Sequence, residues 1–312
     1  MPDVSTVHVD IPLTEVSIAY QNPDFVADRV FPTLGVAKQT NKYWIYGREG
    51  FKPQDDLRAP GAEANEVRWE LSSDTYACVG HALRDTVPDE LRANADSPIN
   101  PDIDSTELLT AKMYLNREAA LAAIVFSGTY ITQTLALSGG DMWDDYSGSK
   151  PIANAETAKE TVRKAIGRSP NVLLVGPAVW AKLKHHPSLL DRLSITNLKV
   201  LTPQLVAEAL ELDEVIIGYA QYDTVNEGVT IKVMADVWGK SALFFYRAPR
   251  ITQRVATLGI QFRWTFGMNT QGFLVKRWRE EKRTADMIEA QLYYDNKLTV
   301  AAAGYLFTNV VT

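Results

Sequence analysis

Residues 104–126 read DSTELLTAKMYLNREAALAAIVF, and the fold turns on this stretch. Ala, Leu, Glu and Lys dominate it, all strong helix formers. Asp104 stands as a candidate N-cap, with Glu107 three residues on to close a capping box, and Ser127-Gly128 stops the run. At a rise of ~1.5 Å per residue the helix spans roughly 33 Å. Leu108, Leu115, Ala119, Ala122 and Phe126 recur at helical spacing and are expected to form its packed face.

Upstream, residues 88–103 are a Pro- and Asp-rich connector, and residues 41–87 read as a long β-hairpin. Tyr43-Trp44-Ile45-Tyr46 is an aromatic strand run. Glu66 to Leu71 alternates Val67, Trp69 and Leu71 with charged residues and is the expected return strand. The tip between them, Gly47 to Ala64, is about 18 residues rich in charge, Gly and Pro. Tips of that length are functional or reach a partner more often than they sit inside a domain. Trp44 and Trp69 lie where a core must be thin, so they are expected as interface anchors. Residues 1–40 read as an extended arm. Val7 to Ile11 alternates before Pro12, Asn22-Pro23-Asp24 signals a turn, and Phe25 to Phe31 is a short apolar stretch ended by Pro32.

Downstream, residues 129–150 are Gly-, Ser- and Asp-rich loop. Residues 151–240 alternate helix and strand, as a compact α/β unit does. Helices are expected near Ala155 to Ile166, after Pro177 and from Pro203 to Leu212. Strands are expected at Asn171 to Val175, Val215 to Tyr219 and, after the Asn226-Glu227-Gly228 turn, Val229 to Val233. Residues 241–312 return to β character: Leu243 to Tyr246, Ile260 to Phe266, Gly272 to Trp278 and a last stretch from Leu298. The class is α+β, and no internal repeat is visible.

The chain of 312 residues is 46% hydrophobic and 22% charged, within the globular range. Its 32 basic and 38 acidic residues leave a net charge of -6, a poor balance for tight nucleic-acid binding. Cys78 is the single cysteine, so no internal disulfide forms, and it reads as a small buried hydrophobe. No signal peptide is visible, and no apolar run reaches the roughly 18 residues a membrane span needs. A soluble, unexported chain is expected.

Val175-Gly176-Pro177 sits at a strand-to-helix turn, but one glycine followed by proline cannot present the several N–H groups a pyrophosphate needs. His185 and His186 are adjacent and point about 100° apart on a helix, so they read as a polar helix end before Pro187. Cys78 and His81 form no convincing nucleophile–base pair. Asp144-Asp145 and Asp89-Glu90 read as solvated loop charge. The expectation is no catalytic residue, no metal ligand and no cofactor. The densest charge run is Lys276-Arg277-Trp278-Arg279-Glu280-Glu281-Lys282-Arg283. Its mixed sign favours a subunit or intrachain contact over DNA, and Lys276, Arg277, Arg279, Glu280 and Glu281 are assigned to a contact between subunits.

The order of arm, long hairpin, long helix, inserted α/β unit and returning strands resembles the tailed-bacteriophage major capsid proteins of the Hong Kong 97-type fold. Local sequence resembles one branch of that family: Ile18-Ala19-Tyr20 leading to Ala27-Asp28-Arg29-Val30-Phe31-Pro32, then Leu57-Arg58-Ala59-Pro60-Gly61, and Val87-Pro88-Asp89-Glu90 with Arg92-Ala93-Asn94-Ala95-Asp96. The resemblance implies an N-terminal arm at 1–40 and an E-loop within 41–87. It implies a P-domain with its spine helix in 88–150, an A-domain at 151–240, and P-domain return strands at 241–312. It further implies hexamers and pentamers of this chain in an icosahedral shell around double-stranded DNA, assembled in the bacterial cytoplasm. The E-loop contacts would be Trp44, Tyr46, Phe51, Arg58, Pro60 and Trp69. Implied partners are a portal protein, a separate scaffolding protein (about 40 residues precede the hairpin) and, as an optional layer, a decoration protein; no membrane is involved. The type member joins a Lys to an Asn between subunits. Lys42, Lys52, Asn269 and Asn296 are residues of those types here, and nothing in the sequence brings them together. Two other readings compete: an encapsulin-like nanocompartment shell, and an α/β enzyme with its site in 151–240.

Overall fold

The computed structural model describes residues 25–47, 49–58, 60–61, 63–68, 70–95, 100–192, 201–225, 233–251, 256–265 and 273–312. The arm pattern at Val7 to Ile11, the Ile18-Ala19-Tyr20 motif and the Asn226-Glu227-Gly228 turn lie outside these residues. So do Val229 to Lys232 of the expected strand, Trp69 and Asn269. In chain order the elements are α1 (Ala27–Val30), β1 (Thr33–Val36), β2 (Thr40–Tyr46), β3 (Leu71–Ala77), β4 (Val79–Pro88), α2 (Asp89–Asn94) and α3 (Pro101–Val125). Then come β5 (Thr134–Ala136), α4 (Pro151–Ile166), β6 (Val172–Val175), α5 (Pro177–Leu183), α6 (Pro187–Arg192), α7 (Pro203–Ala209), β7 (Glu214–Ile217), β8 (Gln221–Asp223) and β9 (Met234–Asp236). The last are β10 (Ala242–Phe245), β11 (Gly259–Trp264), β12 (Phe273–Glu280), β13 (Ala285–Leu298) and β14 (Gly304–Thr308).

Helix α3 starts three residues before the expected Asp104. Pro101 occupies its first turn, where a missing N–H costs nothing, and Asn100 caps it by accepting from Asp102 N at 3.2 Å. Its buried side is also not the expected one. Leu109, Met113, Arg117, Leu121 and Val125 are buried, with Thr106, Thr110, Glu118 and Ala122 beside them, while Leu108 and Ala119 are exposed. The reason is compositional. Four alanines fall between 119 and 123, and three of them lie outward, while hydroxyls and two charged residues lie inward. Thr106 and Thr110 satisfy their buried hydroxyls on backbone carbonyls one turn back, at 2.8 and 2.7 Å.

Two sheets flank this helix. The first has the order β1-β11-β13-β12, with β4 on the other side of β13. It packs on the N-terminal half of α3, through Leu109 and Met113 against Val87, Phe273, Val275, Ile288, Ala290 and Leu292. The second has the order β5-β14-β10-β6-β7. With α4 to α7 it builds the larger core, which takes in Leu121, Ala122 and Val125 of α3 and Val30 and Phe31 of α1. The α/β unit therefore does not close on itself at residues 151–240. β5, β10 and β14, from outside that range, complete its sheet. β13, which is not among the expected strands, is the 14-residue strand to which β4, β11 and β12 all pair. The return strand of the hairpin is likewise Leu71–Ala77 and not Glu66 to Leu71, and Val79–Pro88 joins β13 instead.

The Ala27-Asp28-Arg29-Val30-Phe31-Pro32 motif now has a physical content. Phe31 is wholly buried and lies over Gly259, where a Cβ would run into its ring. Asp28 receives Arg117 of α3 at 2.9 and 3.2 Å and Arg263 of β11 at 2.7 Å. Both guanidiniums are buried, while the aspartate is half-exposed, so solvent screens the cluster from one side only. Burial alone would push the Asp28 carboxyl up. The two arginines outweigh it and hold the group below the ordinary aspartate value. A carboxylate with a depressed pKa contributes stability that is present above its unfolded pKa and lost as pH falls through the folded one.

Two outcomes are expected. Gly259→Ala should lower subunit stability by about 1–3 kcal/mol in urea unfolding, because the added methyl has no room beside Phe31. Asp28→Asn should lower stability above pH 3.8, the unfolded value, and the difference from the parent should shrink as pH falls through the lower folded pKa. A difference constant with pH in parallel urea titrations would remove the ion pair from the account.

Candidate subunit-contact surfaces

The hairpin β2–β3 is thin by construction. Its seven registered pairs run from Thr40↔Ala77 to Tyr46↔Leu71, and it forms a two-stranded sheet of its own. Such a ribbon is marginal alone in water. Only its root is packed. Tyr76 stacks on Phe262 of β11 at 4.5 Å, Tyr43 lies 5.5 Å from the same ring, and Cys78 is buried beside them. Tyr43 donates its hydroxyl to Asp74 at 2.8 Å, and burial together with that carboxylate pushes its pKa up.

Beyond the root every described side chain from residue 47 to residue 70 is exposed. Trp44 is 59% exposed, Phe51 67% and Leu57 85%. Arg58 and Pro60 are exposed with them, at the far end of the hairpin. Tyr46 ends β2, and its side chain lies outside the described residues, as does the whole of Trp69. Phe51 is not free of the body: its ring lies against Gly167, the left-handed cap of α4, where a Cβ would meet it at 2.6 Å. Leu57, Val67, Leu71 and Val79 are exposed apolar side chains absent from the sequence-derived site. A second exposed group, Tyr219, Tyr222, Val233 and Met234, surrounds the separate pair β8–β9. Single exposed apolar residues are ordinary, but contiguous ones mark contact surfaces.

Part of the charge run is paired within the subunit. Along β12 alternate residues face opposite sides. Arg277 and Arg279 share the side of Phe273 and Val275, toward α2 and α3. Arg277 pairs with Asp286 at 2.6 Å and Asp102 at 3.6 Å, and Arg279 grips Asp89 through both nitrogens at 2.6 Å. Arg92 of α2 joins the same cluster through Asp102 at 2.7 Å and Asp286 at 3.0 Å. The Arg279 guanidinium donates to Asp89 and holds its carboxyl below the usual range. Arg277 and Arg279 thus act within the chain, tying α2, the start of α3 and β12–β13 together. The Val87-Pro88-Asp89-Glu90 and Arg92 motifs supply two of the partners. Sequence could not show this, because Asp89 and Arg279 are far apart in the chain. Glu280 pairs with Arg283 at 3.7 Å and Glu281 with Arg279 at 3.6 Å. Lys276 faces the other side of the sheet, in the row Arg84–Glu289–Lys276.

The remaining candidates are structural. The turn at Gly176 is filled by the carbonyls of Trp238 and Gly239, so a phosphate has no room there. Cys78 is buried with its pKa pushed up to about 11, mainly by burial, and its thiol donates to Phe262 O at 3.6 Å. His81 instead stacks on Tyr294 at 4.4 Å. His186 is not a polar helix end but a buried ring, held between Ser149 at 2.8 Å and Ser188 at 2.7 Å, and burial lowers its pKa. Asp144 accepts from the backbone and hydroxyl of Thr312, and Asp145 closes a turn on Ser147. Asn296 accepts from Gln261 at 2.7 Å inside the first sheet. Among the described residues no group of His, Cys, Asp and Glu is placed to hold a metal ion, and no helix is long and apolar enough to cross a membrane.

No protein-family model matches the sequence. The chain is 30% identical over 262 residues to the major capsid protein of Pseudomonas phage JBD67, covering 82% of this chain and 83% of that one. It is 26% identical over 310 residues to the major capsid protein of Burkholderia phage BcepMu, covering 97% and 96%. Its fold matches the crystal structure of a phage-related protein from Bordetella bronchiseptica RB50 with a TM-score of 0.74 at 23% identity, over 98% of both chains. The architecture is the Hong Kong 97-type capsid fold. With hairpin, bridging helix and paired sheets in place, the sequence likeness decides the matter: the chain belongs to the phage major capsid proteins.

Proposed function

We propose that the chain forms the icosahedral head shell of a tailed phage, as hexamers and pentamers of itself around double-stranded DNA. The observation that supports this most directly is the hairpin, an arm of exposed apolar and charged side chains with a packed root and no core of its own. Such an arm gains burial only on a neighbour, and many modest contacts of this kind add up through multivalency. In this reading β2–β3 with residues 47–70 is the E-loop, contacting the next copy through Trp44, Phe51, Leu57, Arg58 and Pro60. The first sheet with α3 is the P-domain. The second sheet with α4 to α7 is the A-domain, and the apolar group around β8–β9 meets copies near the symmetry axes. The chain works as a wall and not as an enzyme. A portal protein, a scaffolding protein and a decoration protein are its proposed partners in assembly. The encapsulin reading loses ground because the related sequences are phage capsid proteins.

Deletion of residues 48–64 tests the arm. The shortened subunit should stay soluble and folded by circular dichroism, and negative-stain microscopy should show no closed shells under conditions where the full chain makes them. Shells of normal size from the deletion would exclude the E-loop assignment.

A further inference from the structure

The carboxylate of Glu118 is fully buried in the C-terminal half of α3, yet its hydrogen bonds leave the helix altogether. Oε1 accepts from Val26 N at 2.9 Å, and Oε2 accepts from Ala27 N at 2.9 Å. These N–H groups open α1 and have no partner inside so short a helix. Val26 stands at the N-cap and has no side chain that can cap, so Glu118 does this from another element. Oε1 also accepts the indole N–H of Trp238, at 2.7 Å.

Trp238 is itself a plug. It is wholly buried and meets Phe126 edge-on at 5.6 Å. A Cβ on Gly218, just past β7, would run into its ring, and one on Gly176, just past β6, into its carbonyl. The indole therefore sits at the corner where β6 and β7 end and the chain returns toward β10. The same α1 turn reaches that sheet at the opposite end of β7. Arg29 pairs with Glu214 at 2.5 Å, and Arg247 pairs with Glu214 at 2.7 Å. Burial pushes the Glu118 carboxyl up, and its three N–H donors and Arg117 pull against that.

We infer that Glu118 is a positioning residue for assembly: one carboxylate that locks the α1 turn and the Trp238 corner of the second sheet to α3 as a single unit. Three donors converge on two oxygens, which a carboxylate accepts and an amide cannot. Gln at this position would turn its NH₂ toward a donor.

The test uses Glu118→Gln and Trp238→Phe in the full chain, read by hydrogen exchange of the unassembled subunit. Glu118→Gln should speed exchange in the 25–31 peptide by about tenfold or more, the loss expected for a charge-assisted bond. Trp238→Phe leaves both α1 contacts in place, yet it too should speed exchange there severalfold, because the shared carboxylate is no longer held. Parent-like exchange in 25–31 for Trp238→Phe, in a subunit of unchanged fold, would overturn the coupling and leave Glu118 a local cap. If Glu118→Gln does not fold, Trp238→Phe decides alone. The assembly role is read by microscopy of Trp238→Phe. A fall in closed shells, by severalfold against the parent, supports it, and parent-like yield overturns it. This last readout rests on the shell reading, whereas the exchange readout does not, and parent chain that never forms shells counts against the shell reading only.

Discussion

Arg117 and Glu118 stand where α3 passes from one core to the other, and both are buried. Isolated charges inside a protein are too costly to keep, so each must find a partner there. α1 provides for both at once, with Asp28 for the arginine and two free N–H groups for the glutamate. The rest of the architecture follows from this crossing. The N-terminal half of α3 serves the first sheet and the C-terminal half the second. A helix used on two sides in this way cannot show one clean apolar stripe. The polar residues that break the stripe fix how the two layers meet.

The order of elements was legible because composition changes along the chain: aromatic strand, charged tip, alanine-rich helix, alternating α/β, then strands. The registers were not. The packed face of α3 is hard to read because Leu108 and Ala119 mimic a core stripe while Thr106, Thr110 and Glu118 hide one. β13 escaped although Ile288, Ala290, Leu292 and Tyr294 alternate with Glu289, Gln291 and Asp295, as a half-buried strand does. The hairpin was read with its return strand about five residues early, since Val67, Trp69 and Leu71 alternate better than Leu71–Ala77 does. What decides there is the partner: Tyr76 finds Phe262, and Cys78 closes the root behind it.

The same limit applies to the candidate contacts. Exposure of Trp44 and Phe51 could be inferred, because nothing nearby in the chain could cover them, whereas Leu57 was not singled out. The fate of Arg277 and Arg279 could not, because Asp89 and Asp102 reach them only through the fold. A run of charge in sequence is thus divided by strand alternation, with Arg277 and Arg279 binding the subunit together on one side and Lys276 facing the other. Asp28, Arg117 and Arg263 at one joint, and Asp89, Arg92, Asp102, Arg277 and Arg279 at another, tie helices to the first sheet.

The pairing of early with late strands has a consequence for how the subunit comes into being. β1 needs β11, β4 needs β13, and β5 needs β14. Each of these unions closes a very large loop, and such contacts form slowly because chain entropy is lost before they reward it. Neither layer can be completed until the last of these strands has emerged from the ribosome. The chain is kept from its finished shape, and so from its neighbours, until β13 and β14 have been made.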